Sequence, residues 1–157
     1  MGERRKPDAG SGQDANTAVG AAMHDLLVID DAVIHRTLIS RIAEQIGFAV
    51  LTAGSYAEAA KLLQERTFDC VTLDLGLGDH DGVEVLQLLA KIGSSMPVII
   101  ISGAEKGVYD EAVKVGKSLG LDVRATFPKP IDLKVMRIQL ERIKLKLSVQ
   151  NAAPAST

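Results

Sequence analysis

Five strands alternating with five helices, a doubly wound α/β sandwich around one parallel sheet, is the fold class this sequence predicts. Three observations carry it. Short apolar runs recur along the chain, and stretches of helical periodicity separate them. Several runs are aliphatic at consecutive positions, which marks strands covered on both faces. The 157 residues suffice for one such domain and not comfortably for two.

The runs fall at 26–30 (LLVID), 49–53 (AVLTA), 70–74 (CVTLD), 98–102 (VIIIS) and 123–127 (VRATF). Leu38, Ile39, Ile42 and Ile46 make the apolar stripe of a first helix. Tyr56, Ala59, Ala60 and Leu63 make a second, with Ser55 as its N-terminal cap. Val85, Leu88, Leu89 and Ile92 make a third, and Val108, Ala112, Val115 and Leu119 a fourth. A fifth helix spans 131–147, with Asp132 near its start as a cap. Gly47 and Gly120 stand where helices end. Short strand–helix links imply right-handed crossovers, hence the flavodoxin-like (βα)5 three-layer sandwich with parallel sheet order 2-1-3-4-5. Residues 23–149 would form it. Residues 1–22 are expected to be a flexible N-terminal arm and 150–157 a flexible tail.

Composition narrows the function. Hydrophobic residues are 46% but aromatics only 3%, so the apolar content is aliphatic. With 18 basic against 20 acidic residues the net charge is −2, which gives no field to gather nucleic acid or an anionic membrane. Few aromatics are available to stack on bases. No apolar run reaches membrane-spanning length, and polar residues follow the N-terminal basic cluster where a signal peptide needs an apolar core. Cys70 is the single cysteine, which excludes an internal disulfide. A cytoplasmic protein without nucleic-acid or membrane partners is expected.

In open α/β sheets the site lies outside the C-terminal strand ends. Here the first strand ends in Asp30 and Asp31, the third in Asp74 and the fourth in Ser102. Lys129 stands just past the fifth. Three converging carboxylates resist ionisation without a counter-charge. Mg²⁺, which prefers hard oxygen ligands, supplies one. A carboxylate is also a competent nucleophile toward phosphorus. A transferring phosphoryl group spreads negative charge over its oxygens, and a cation, the Lys129 ammonium and the Ser102 hydroxyl would meet it.

On these residues the chain resembles the receiver domain of bacterial two-component response regulators, over roughly 24–147. The motifs are LLVIDD, CVTLDLGLGDHDG, IIISGA and FPKP, in the family's order. The resemblance implies that Asp74 accepts a phosphoryl group from a sensor histidine kinase. It implies Mg²⁺, with Mn²⁺ or Ca²⁺ as substitutes, held by Asp31 directly, Asp30 mainly through water, Asp74, and the backbone carbonyl of Gly76. Lys129 would pair with the acceptor, and Lys129–Pro130 would be a cis peptide. Ser102 would be the switch hydroxyl. The switch aromatic is replaced by Thr126, with Phe127 one place later on the other side of the strand. Gly76 and Ala104 occupy two places that often carry side chains governing phosphate loss. Gly82 matches the family's glycine at the start of the third helix. Such a protein is not an enzyme in the usual sense, because it catalyses only its own phosphorylation and dephosphorylation.

Blander readings exist for each residue. Asp31 alone is a plausible helix cap, and His35 and His80 are more simply surface or packing residues. Cys70 reads as inert core. Rival functions are a phosphorylation-independent dimeric adaptor and, less favoured, an Asp-nucleophile phosphatase. The latter usually needs a second Asp two residues after the nucleophile, where Gly76 stands.

The fifth helix carries two apolar sets on opposite faces. Ile131, Val135, Ile138, Leu145 and Val149 form one. Leu133, Met136, Leu140, Ile143 and Leu147 form the other, and its spacing of three and four resembles a coiled coil. A helix on a sheet buries one face, so the second set is expected to be a homodimer interface. Some stand-alone receivers paired with bacterial phytochrome kinases have a similar helix-mediated dimer. With no output module following residue 149, a single-domain regulator is expected, signalling by protein–protein contact or acting as a phosphate sink or relay.

Overall fold

A computed structural model describes residues 23–78, 80–103 and 106–152. The expected arm at 1–22, the end of the expected tail and Ala104 lie outside the described residues. The elements run β1 (His24–Ile29), α1 (Val33–Ile46), β2 (Phe48–Ala53), α2 (Tyr56–Glu65), β3 (Cys70–Asp74), β4 (Gly76–Leu77), β5 (His80–Asp81), α3 (Gly82–Lys91), β6 (Pro97–Ser102), α4 (Lys106–Ser118), β7 (Asp122–Pro128) and α5 (Leu133–Ala152). The five long strands form one parallel sheet in the order β2-β1-β3-β6-β7. Counting those strands alone, this is the predicted 2-1-3-4-5. β4 and β5 form a separate antiparallel ribbon in the loop after β3.

The consecutive aliphatics of β1, β3 and β6 serve two cores at once, because successive side chains leave a strand on opposite faces. Leu27, Ile29, Val71, Leu73, Val98 and Ile100 point to the layer of α2, α3 and α4. Leu26, Val28, Cys70, Ile99 and Ile101 point to α1 and α5. Burial pushes the Cys70 thiol up to about 12, so it is an unreactive packing group.

Helix ends follow local chemistry. The Ser55 hydroxyl accepts from the Glu58 N–H at 3.2 Å. Asp132 Oδ1 accepts from the N–H groups of Lys134 and Val135 at 3.0 and 3.3 Å. Gly47 closes α1 at φ 111°, a conformation that favours glycine.

Two expectations need correction. First, α5 runs to Ala152, past the expected domain end at 149. Second, its faces are exchanged. Met136, Leu140 and Ile143 are fully buried against α1, and Leu147 packs on the same cluster. Leu133, at the first turn, is 39% exposed. These residues therefore mostly form the core side, not a dimer interface. The outward row is Val135, Ile138, Leu145 and Val149. The physical reason lies at position 142. Arg142 interrupts the outward row, whereas the set containing Met136 is unbroken, and only an unbroken apolar stripe can lie on the sheet. Lys144 on α5 also donates to the Ile46 carbonyl at 2.6 Å, fastening the helix to the end of α1.

β7, an edge strand, contains an irregularity. Val98 pairs with Val123 but Ile99 pairs with Ala125, so Arg124 is an extra residue. Its guanidinium bonds to the Asp122 carboxylate. The bulge changes the strand's phase: Val123 faces the α4 side, while Ala125 and Phe127 face α1 and α5.

Candidate functional site

The C-terminal ends of β1, β3 and β6 bring the predicted polar residues together. Asp30 follows β1 and is held by the sheet, its N–H donating to the Ala53 carbonyl at 3.0 Å. Its side chain is fully buried. Oδ1 accepts from the Ala32 N–H at 2.8 Å, so Asp30 rather than Asp31 serves the start of α1. The residue at the helix cap itself is Ala32, without a side-chain cap. Asp31 is exposed and turned to the same site. Asp74, 2% exposed, ends β3. Carboxylate oxygens of Asp30, Asp31 and Asp74 all lie within 4.8 Å of one another.

Lys129 answers this charge. Its Nζ donates to Asp74 Oδ2 at 2.8 Å and stands 3.9 Å from Asp30 Oδ2. Its backbone N–H donates to the Ser102 carbonyl at 3.0 Å, extending the β6–β7 ladder past Pro128. The Lys129–Pro130 bond is cis. Ser102, the last residue of β6, is buried. Thr126 is half-buried, and Phe127 is packed into the core beneath α5.

The loop after Asp74 is fixed by backbone contacts. Gly76 N–H donates to Asp74 Oδ1 at 3.1 Å, and Leu75 N–H donates to the Ile101 carbonyl at 3.0 Å. Gly82 N–H returns to the Leu75 carbonyl at 2.9 Å. A Cβ at Gly82 would sit 2.6 Å from the Leu75 Cα, so only glycine permits this closure. At Gly76 a Cβ would meet nothing nearer than Asp74 Oδ1 at 3.9 Å. The position is open, and it overlooks the Asp74 carboxylate.

Electrostatics show what the cluster needs. Burial pushes the Asp30 carboxyl above its ordinary range. The Ala32 N–H opposes that rise, the Asp74 charge adds to it, and Lys129 and then His35 oppose it. Asp30 Oδ2 is buried and has no hydrogen-bond partner among the described residues. An orphaned carboxylate oxygen among three acids and one ammonium fits a hard divalent cation, and the oxygen-rich donor set suits Mg²⁺.

One neighbour was not foreseen. His35, in the first turn of α1, places Nδ1 3.3 Å from Asp30 Oδ2. Helical side chains lean toward the N-terminus of their helix, and this one leans back over the end of β1. The side chain of His80 lies outside the described residues. Among those described, no helix is long and apolar enough to cross a membrane.

Comparisons with known proteins agree with this geometry. The response regulator receiver domain family matches residues 26–141. The transcriptional regulatory protein ZraR of Klebsiella oxytoca is 30% identical over 116 residues, covering 74% of this chain and 25% of that protein. The chain thus spans about a quarter of that relative's length. The chemotaxis protein CheY of Listeria monocytogenes is 35% identical over 96 residues, 60% of this chain and 81% of CheY. A response regulator from Colwellia psychrerythraea superposes with a TM-score of 0.69 at 28% identity, covering 80% of this chain and 99% of that one. With the family model covering most of the chain, the chain belongs to the response regulator receiver domain family.

Proposed function

We propose that Asp74 accepts a phosphoryl group from the phosphohistidine of a sensor histidine kinase. The observation that carries this reading is the buried Asp74 carboxylate, held by Lys129 on one oxygen and the Gly76 N–H on the other, beside two further acids. A carboxylate oxygen of Asp74 forms the new O–P bond as the donor's N–P bond breaks. The departing imidazole keeps the electron pair and takes up a proton. Lys129 neutralises charge on the transferred oxygens, and Ser102 moves in to donate to one of them. Asp30, Asp31, Asp74 and the Gly76 carbonyl would hold Mg²⁺, which when bound offsets the charge of acceptor and phosphoryl group. The chemistry is confined to the chain's own acceptor and its later hydrolysis. A donor of the phytochrome-kinase kind rests on the fifth-helix resemblance alone.

Incubation with acetyl phosphate and Mg²⁺ followed by intact-mass measurement tests the reading. The expected result is one phosphoryl adduct, absent in Asp74→Ala and in the presence of excess chelator. No adduct on the unmodified protein overturns it.

A second reading concerns assembly. The outward row of α5 supports a homodimer, formed with or without phosphorylation. Val135, Ile138, Arg142, Leu145 and Val149 repeat at three and four residues. In a parallel pair Glu141 and Lys146 of opposite copies would face one another as flanking charges. Light scattering checks this, and a monomer both with and without phosphoryl donor refutes it.

A further inference from the structure

A second cation stands beside the acidic cluster, and it holds backbone instead of carboxylate. Arg36 lies in the first turn of α1 and is half-buried. Its side chain leans back toward the start of the helix, as helical side chains do. Nη1 donates to the backbone carbonyl of Asp30 at 2.6 Å. A short bond with a charged donor is among the stronger of its kind.

The same guanidinium lies against Gly54, just past β2. A Cβ there would come within 2.8 Å of Nη1, 3.2 Å of Cζ and 3.5 Å of Nη2. Gly54 is not in the left-handed region, so its backbone conformation does not call for glycine. The space does, because the guanidinium fills the room a side chain would take.

The bond fixes the peptide that joins Asp30 to Asp31. Asp30 is held elsewhere as well. Its N–H donates to the Ala53 carbonyl at 3.0 Å, and Oδ1 accepts from the Ala32 N–H at 2.8 Å. Asp31, unlike the buried Asp30 and Asp74, is exposed, yet its carboxylate lies within 4.8 Å of theirs. The direction in which that carboxylate leaves the chain follows the peptide before it, and Arg36 grips the oxygen of that peptide.

We propose that Arg36 is a positioning residue for the cation site: through the Asp30 carbonyl it aims the Asp31 carboxylate at the ion, and Gly54 is the seat that lets it do so. The inference rests on the cluster being a divalent-cation site, and it adds to that reading the group that orients the exposed ligand. Partners of metal ligands commonly set affinity by about ten- to a hundredfold. The sign separates this role from that of a plain charge. A nearby positive charge repels Mg²⁺, so removing charge alone tightens binding, whereas removing a positioning group weakens it.

Calorimetric titration of the full chain with Mg²⁺ tests the proposal. Arg36→Ala should weaken binding at least about tenfold. Gly54→Ala keeps the charge, and its N–H can still donate to Glu58, but it pushes the guanidinium from its seat. It should weaken binding in the same direction. In the double variant the two losses should not add, because one contact is lost once. Arg36→Lys, which can still donate a single bond to the carbonyl, should recover part of the affinity. With acetyl phosphate, the loss should appear in the Mg²⁺ concentration needed for half-maximal phosphoryl uptake more than in the rate at saturating Mg²⁺. Unchanged or tighter Mg²⁺ binding in Arg36→Ala, or losses that add in the double variant, overturn the proposal. If Arg36→Ala binds Mg²⁺ like the unmodified protein and still gains a phosphoryl group, the positioning role fails and the acceptor reading stands. If the unmodified protein binds no Mg²⁺, both fail.

Discussion

Truncating one leucine on each side of α5 separates the core face from the outward face. Leu140 is fully buried, so Leu140→Ala removes side-chain contacts and leaves a cavity beside α1. Such changes cost about 3–5 kcal/mol. Against a total stability of about 5–15 kcal/mol, that is a large fraction. With a urea slope of about 1–3 kcal/mol per molar, the unfolding midpoint should fall by at least about 1 M. Leu145 is 68% exposed. Burying a whole leucine gains about 1.5–3 kcal/mol, so Leu145→Ala should cost less than about 1 kcal/mol in a monomer. If the outward row is a dimer interface, the Leu145→Ala deficit should grow with protein concentration, because association stabilises only the folded state. Urea titration of both variants at two concentrations reads all of this. Equal costs for the two leucines, or a larger one for Leu145→Ala in dilute protein, would refute the assignment of faces.

Three further outcomes follow from the site. Lys129→Ala removes the ammonium 2.8 Å from Asp74, so phosphoryl uptake from acetyl phosphate should slow about 10²-fold, and Mg²⁺ should bind more tightly because a competing positive charge is gone. Rates by mass spectrometry and affinities by calorimetry check the two signs. The raised Asp30 pKa gives a pH dependence: above about pH 4 the unfolded chain has lost this proton while the folded chain retains it, so this group's contribution to stability falls as pH rises toward the folded-state pKa. Metal-free protein should show that decline by urea titration at several pH values, and Asp30→Asn should lack it. Gly82→Ala forces a Cβ to within 2.6 Å of the Leu75 backbone, and it should cost about 1–3 kcal/mol by the same assay, unlike an alanine at the open Gly76 position.

The sheet was legible because β1, β3 and β6 carry aliphatics at consecutive positions, a pattern that few other contexts demand. The acids were legible because the fold rule directs attention to strand ends, where Asp30, Asp31 and Asp74 stand. The orientation of α5 was misread because its two apolar sets look alike by count. The discriminating residue was Arg142, a charge in the middle of one row. The bulge at Arg124 was invisible because it needs no special residue type on an edge strand. His35 was passed over as an isolated imidazole. Its signal lay in its place one turn into a helix that follows an acidic strand end, where a side chain leans back toward that end.

Lys129 is bonded at both its ends. Its ammonium holds the Asp74 carboxylate, and its backbone N–H holds the last carbonyl of β6. Only three residues separate it from the first turn of α5. If Asp74 is phosphorylated as proposed, an ammonium drawn away from it would pull on a span only three residues long. Buried Met136 and Leu140 sit beyond that span as a fulcrum, and the outward row lies on the far side of it. Under the proposed acceptor role of Asp74, the helix would act as a lever with its input at Asp74 and its output at the exposed apolar row.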